Sequence, residues 1–413
     1  MSTTYGSSEF DLPKPENLPE PHTETRQYRR ITGQPDNRLH TDAEYLRRRF
    51  GMPRLPSYEE VRPSDAVVQR AIEADDPEAK DPIPLTPRIY DHTWGGGVER
   101  VSGGQGVFLV GPEGRGKSTL FRRLSAAEME HNDAYVVWRA VTGSRSEWLP
   151  FAPIARICIP HGYEATARLV PKEERPDVSG VDVPLEDIAR EVVEYRDVMH
   201  LNQQVMERGC FHVVFPDPEL RGCQYVYEES DRRVANKRQE VRFSEDDPAD
   251  HWWFGWGLSQ VEQPMPGWVA WFCDEVQSLA AEGVANDKFL TRMKVKLIGE
   301  AMEDFRKNGV ARYFAGHKYK HAHSLWRDRI RFRVHMSGSA NPRTSRAASI
   351  PAGMETVPME TDLISNEAIG AGVLYDESEF EVIRWPPSDK PISGDLKVYL
   401  EPATDSTTRG DAA

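Results

Sequence analysis

Eight consecutive residues, Gly111-Pro112-Glu113-Gly114-Arg115-Gly116-Lys117-Ser118, satisfy GxxxxGK[ST] at every fixed position. The residue types have a physical use together. Gly111, Gly114 and Gly116 let backbone N–H groups turn inward around a phosphate, and the positive end of a following helix reinforces them. Lys117 is expected to reach the β- and γ-phosphates, Ser118 to hold Mg2+, and Thr119 to lie near the α-phosphate. Residues Gly111 to Thr119 are therefore expected to bind ATP with Mg2+. A second pair, Asp274-Glu275, follows the apolar run WVAWFC. An Asp at the end of a strand can set its carboxylate beside the magnesium, and the adjacent Glu can polarise water for attack on the γ-phosphate. Two acids after an apolar run are commonplace, and the phosphate loop upstream gives this pair its meaning.

The elements that must hold these residues can be read around them. The run GVFLV at 106–110 predicts a strand before the glycine loop, and Leu120, Leu124 and Ala127 predict a helix after it. AYVVWRA at 134–140, ARICIP at 155–160 and FHVVFPD at 211–217 read as further buried strands. Apolar residues between Pro184 and Arg208 suggest a helix, and 171–183 a loop. WVAWFCDE reads as a central strand, 288–307 as a helix and VARYFAGH at 310–317 as a strand. RFRVHMSG at 331–338 and FEVIRWP at 380–386 could close the sheet. Alternating strands and helices indicate an α/β layer architecture.

The order of glycine loop, strand ending in Asp274-Glu275, helix reaching Arg306-Lys307-Asn308-Gly309-Val310 and strand RYFAGHKYK resembles the HerA/FtsK superfamily of ATPases. That superfamily includes viral genome-packaging and conjugation-coupling motors. The resemblance covers about 90–390 and implies an α/β fold of the RecA-like, additional-strand P-loop NTPase type. It implies a catalytic set of Lys117, Glu275, a γ-phosphate sensor at His317 and an arginine donated by a neighbouring subunit. Arg306, Arg312 and Arg327 are the candidates for that arginine, with Arg306 preferred. Homo-oligomerisation as a hexameric ring, double-stranded DNA as the moved polymer, and a membrane or capsid partner protein are further implications.

By organisation, residues 1–88 read as an extended arm rich in Pro and charge, with a short helix around Asp42–Phe50. Residues 89–390 read as the ATPase domain, carrying an insertion within 160–265, and 391–413 as a C-terminal tail.

The chain has 66 acidic against 52 basic side chains and a net charge of -14, which excludes a basic coat over the whole surface. Only 13 of the basic residues are Lys and 39 are Arg. Lysine scarcity with acidic excess is the composition expected at high salt, although a GC-rich genome also favours Arg. Four scattered cysteines without a CxxC argue against a disulfide scaffold or zinc cluster and for reduced thiols in the cytoplasm. No signal peptide is apparent at the N-terminus and no stretch approaches 18 uncharged apolar residues, so any membrane or virion association is expected through partners.

Three clusters remain. Arg312, Lys318, Lys320, Arg327, Arg329, Arg331 and Arg333 suit either a DNA-contacting strip or pairing with acidic neighbours, with alternate arginines on one strand face. Trp252, Trp253, Trp256, Trp268 and Trp271 lack interleaved basic residues and are expected to pack against the strand before Asp274 or at a subunit contact. His317, His321 and His323 lack an acidic or Cys companion nearby in sequence and are not read as a metal site. The leading function is DNA movement driven by ATP hydrolysis, for genome packaging or plasmid transfer. The alternative is a regulatory or scaffold ATPase that does not move DNA. A nucleotide kinase is disfavoured for want of an acceptor lid.

Overall fold

The computed structural model describes residues 106–132, 134–143, 146–170, 180–233, 240–265, 267–336, 370–375, 380–384 and 395–403. The N-terminal arm and the helix expected around Asp42–Phe50 lie outside them.

Strand β1 (Gly106–Val110) runs straight into the glycine loop, and helix α1 (Lys117–Asn132) leaves it. Then come β2 (Tyr135–Arg139), β3 (Ala155–Pro160), β4 (Tyr163–Val170), β5 (Val181–Asp182), β6 (Glu191–Tyr195) and β7 (Phe211–Val214). Helices α2 (Cys223–Glu228) and α3 (Trp252–Glu262) precede β8 (Val269–Cys273), and α4 (Thr291–Phe305) precedes β9 (Val310–Gly316). Strands β10 (Phe332–Met336), β11 (Ala371–Tyr375), β12 (Phe380–Arg384) and β13 (Asp395–Pro402) complete the described chain.

Ten strands form one sheet in the order β12-β11-β10-β1-β9-β8-β2-β7-β3-β6. From β10 to β6 every pairing is parallel, while β10–β11 and β11–β12 are antiparallel. Strand β9 lies between the strand of the glycine loop and the strand of the acidic pair. A parallel sheet needs both faces covered, and alternate residues of each strand supply the two faces. Val107 and Leu109 join α1 residues Leu120, Phe121 and Leu124 in one apolar cluster. Phe108 and Val110 join α3 and α4 in the other. A second sheet, β13-β4-β5, adds Ala167, Leu169, Leu396 and Val398 to the α1 side.

The tryptophans pack as expected. Trp252, Trp253, Trp256, Trp268 and Trp271 are fully buried. Trp253 stacks on Trp271 with centroids 6.0 Å apart, and Trp256 meets Trp271 edge-on at 5.3 Å. This aromatic layer fixes α3 against β8. On the other face Trp268 Nε1 donates to the buried Glu128 of α1 at 2.9 Å.

Several expectations are corrected. The loop expected over 171–183 ends in β5, and the tail expected over 391–413 contains β13, which pairs with β4 and buries Leu396 and Val398. The helix expected over 184–208 is instead a short turn of helix at Leu185–Ile188, strand β6, and helical turns over 198–205. The β-branched pair Val192-Val193 favours a strand, and Glu191 to Tyr195 pair in register with Arg156 to Pro160 at the sheet edge. The apolar spacing that suggested one helix comes from three short elements. The basic strip is reduced in part, and two of its arginines pair with acidic residues as the second reading had it. Arg312 is in the core, donating to Met302 O at 3.2 Å and lying over the Phe305 ring, with its pKa lowered by burial to about 10. Arg333 is buried beside Tyr319, whose hydroxyl accepts from its Nε at 3.1 Å. Arg327 donates to Ala322 O and pairs with Glu282. Lys318, Lys320, Arg329 and Arg331 remain exposed, and Arg329 pairs with Glu303. Arg329 and Arg331 precede β10, so the three alternate arginines do not share one strand face.

Two buried histidines make stability depend on pH. Burial lowers the His212 pKa to about 3, and burial together with the Lys294 ammonium lowers that of His251 to about 4. The folded state therefore excludes protons that the unfolded chain binds below about pH 6.5. Their contribution is fully present above that pH and is lost as pH falls towards the folded values. Urea unfolding at pH 7.5 and pH 5.0 should show a loss of about 2 kcal/mol per histidine, on the order of 1.4 kcal/mol per pH unit below 6.5.

Candidate functional site

The glycine loop joins the C-terminal end of β1 to α1, and its shape follows from its residues. Gly114 and Gly116 have φ of 73° and 91°, a region other residues enter only at a cost. Gly111 is required for another reason: a Cβ there would lie 2.4 Å from the Cβ of Met336 on β10. Helix α1 starts at once, with Leu120 N donating to Gly116 O at 2.9 Å.

Lys117 is 8 % exposed, and its Nζ donates to Gly111 O at 2.7 Å and Pro112 O at 2.8 Å. Burial lowers its pKa, opposed first by the Asp274 carboxylate and then by those of Glu275, Glu113 and Glu147. The first two of those carboxylates come from the end of β8. Asp274 is buried, and its Oδ1 accepts from Glu275 N at 2.8 Å.

Glu275 has left-handed backbone, φ 47° and ψ 55°. A non-glycine residue there carries on the order of 1–3 kcal/mol of strain, and persists because its surroundings hold it. Its Oε1 lies 3.2 Å from His317 Nε2, at the end of β9, and Glu113 Oε1 lies 3.9 Å from the same nitrogen. The turn continues with Ser278 N donating to Glu275 O at 2.8 Å.

Three adjacent parallel strands, β1, β9 and β8, thus deliver the glycine loop, His317 and the acidic pair at their C-terminal ends. Arg306 is not brought to them. It caps the C-terminus of α4 just before β9 begins, at the opposite end of the sheet.

Sequence spacing did not single out Arg139, the last residue of β2. It is 3 % exposed, and its Nη2 donates to Asp250 Oδ2 at 2.8 Å. Its Nη1 reaches Ser278 Oγ at 3.2 Å and Asp274 O at 3.5 Å. The available signal was an Arg closing the apolar run YVVW, a costly residue to bury without partners.

The residues present fit a nucleotide with its metal. The space over Gly114, where a Cβ would project, is open to 4 Å, and the loop's lysine sits beside two carboxylates from another strand. Ser118 and Asp274 are the residues that would hold Mg2+.

Fold and loop together define an α/β protein with a mixed multistranded sheet, in which the GxxxxGK[ST] loop joins β1 to α1. The chain is similar to the genome-packaging NTPase B204 of Sulfolobus turreted icosahedral virus 2, solved with ATP-gammaS: 11% identity, TM-score 0.36, covering 69% of this chain and 98% of that one. It is similar to B204, the DNA-packaging ATPase of Sulfolobus turreted icosahedral virus, at 12% identity and TM-score 0.35, with 69% and 98% covered. The N-terminal domain of zonular occludens toxin from Neisseria meningitidis is similar at 8% identity and TM-score 0.29, with 70% and 97% covered. No protein-family model and no curated protein matches the chain. No helix among the described residues is long and apolar enough to cross a membrane.

The left-handed backbone at Glu275 can be tested apart from its side chain. Glu275→Gly and Glu275→Ala both remove the contact with His317, and only glycine relieves the backbone. Glu275→Gly should be the more stable of the two by about 1 kcal/mol in denaturant melts, and equal or lower stability would contradict the conformation.

Proposed function

We propose that the protein is a Mg2+-dependent ATPase of RecA-like, additional-strand type whose turnover moves double-stranded DNA, for genome packaging or plasmid transfer, as a homo-oligomeric and hexameric ring. The observation that carries the ATPase reading is the meeting of Lys117, Asp274, Glu275 and His317 at the ends of three neighbouring strands.

In this reading the backbone amides of Gly111 to Thr119 wrap the phosphates. Lys117 exchanges the carbonyl oxygens of Gly111 and Pro112 for β- and γ-phosphate oxygens, so an internal pair of hydrogen bonds is replaced by a charge-assisted set. Ser118 and Asp274 would hold Mg2+, which would supply neutralisation of phosphate charge. Glu275 takes the proton of the attacking water, and His317, already 3.2 Å from its carboxylate, contacts the γ-phosphate. Arg306, remote from this cluster in its own subunit, acts on the nucleotide of a neighbour.

The DNA component rests on the order of motifs that resembles the HerA/FtsK superfamily. A membrane or capsid protein is the further partner that this resemblance implies, and the place of action is the cytoplasm, at a membrane or virion through that partner. Burial of Arg312 and Arg333 removes part of the basic strip and favours keeping a second reading: a regulatory or scaffold ATPase that does not move DNA.

ATPase turnover measured with and without double-stranded DNA, at several salt concentrations and with mass determined in the same solution, separates the two. The motor reading expects ring assembly and stimulation by DNA. A monomer in ATP with turnover indifferent to DNA would sink it. Glu275→Gln should keep nucleotide affinity while hydrolysis falls by about 100-fold or more; unchanged hydrolysis would remove Glu275 from the mechanism.

A further inference from the structure

The strained turn after β8 has to be held in place, and the buried polar groups behind it show how. Trp138 and Phe272 stack within the α1-side cluster, and the next residues, Arg139 and Cys273, turn to the face covered by α3 and α4. Arg139 is therefore behind the acidic pair as seen from the phosphate loop. Its guanidinium makes contacts with both ends of the Glu275 turn: Asp274 O on the residue before, and Ser278 Oγ three residues after. Its Nη2 is engaged by Asp250 Oδ2 at 2.8 Å, with Cys273 Sγ 4.0 Å from Nη1.

Asp250 belongs to the short turn Ala249–His251 that starts α3. The same segment is fastened to α4. Asp247 Oδ2 accepts from Lys294 Nζ, His251 Nδ1 lies 3.2 Å from that nitrogen, and His251 Nε2 lies 3.2 Å from Thr291 Oγ1. A continuous polar path thus runs from the acidic turn through Arg139 and Asp250 to the first turns of α3 and α4.

We propose that Arg139, oriented by Asp250, is a positioning residue for hydrolysis: it braces the backbone from Asp274 to Ser278 and so aims the Glu275 carboxylate. The planar fork suits this task because it meets three acceptors at fixed angles, which an ammonium cannot reproduce. The proposal rests on the ATPase reading, and it adds a residue outside the nucleotide-binding and acidic motifs.

Four variants test it: Arg139→Met, Arg139→Lys, Asp250→Asn and Ser278→Ala, each in the full chain, with kcat, KM for ATP, direct affinity for a fluorescent ATP analogue, and thermal unfolding. Arg139→Met and Asp250→Asn should lower kcat by about 10- to 100-fold while analogue affinity changes by no more than about threefold, since misaiming a reacting group acts on the chemical step. Arg139→Lys should stay impaired, and Ser278→Ala should lower kcat in the same sense by a smaller factor. If Arg139→Met does not fold, Asp250→Asn and Ser278→Ala carry the test, because Asp250 is partly exposed and Ser278 lies at the turn's end. Folded variants that lose thermal stability and keep wild-type kcat would overturn the proposal alone. Full kcat in Arg139→Lys would also overturn it, since charge without the fork would suffice. A wild-type chain that binds the analogue without turnover would overturn the ATPase reading and this proposal with it.

Discussion

Parallel pairing of β1, β9 and β8 is the constraint on which the site depends. Because the three strands run in one direction, everything that leaves their C-terminal ends emerges at one edge: the glycine loop, His317, and Asp274-Glu275. The arrangement is demanding. A parallel sheet exposes no face to water without cost, so it needs two apolar layers. Helix α1 and the small β13-β4-β5 sheet cover one, and α3 and α4, with their tryptophans, cover the other. The aromatic layer is thus a condition for the site's edge to exist and has no need of a role in binding.

Charge is treated differently on the two sides of that edge. In front, Lys117 is held almost out of water, its cation supported by the carboxylates that follow β8, two strands away, and by carbonyl oxygens of its own loop. In the proposed ATPase, a lysine so placed exchanges weak internal acceptors for stronger phosphate ones. Behind, Arg139 is buried and pairs with the partly exposed Asp250, and Lys294 is buried with Asp247. Buried ion pairs contribute little net stability compared with apolar packing, and specify geometry well. Their position against a left-handed glutamate, the most strained point of the acidic turn, gives such specification a use.

Much of this was legible in the residues. GxxxxGK[ST] after an apolar run has few physical alternatives, since three glycines and a lysine at those spacings make a poor strand and a poor helix. The strands at 106–110, 135–139, 155–160, 211–214, 269–273, 310–316 and 332–336 stand where apolar runs predicted them, because fully buried strands carry unbroken apolar sequence. Strand β6 escaped, because an edge strand with Glu191 and Glu194 partly open to water lacks that signature and its apolar residues mimic helical spacing. The basic run from Arg312 onward left two readings open because composition counts charges and not burial, and two of its arginines are core residues.

By itself, the sequence determined the glycine-rich GxxxxGK[ST] loop, the acidic pair after an apolar run and the α/β alternation, because each is written in contiguous residues with local physical consequences. Only the tertiary structure decided that β9 inserts between the strands carrying those motifs, that His317 meets Glu275 across that boundary, and that Arg139 closes on the acidic turn from behind. Arg139 and Asp274 are far apart in the chain, and nothing local to either residue specifies the other. Their contact follows from the register of neighbouring strands, which is set by packing over both faces of the whole sheet.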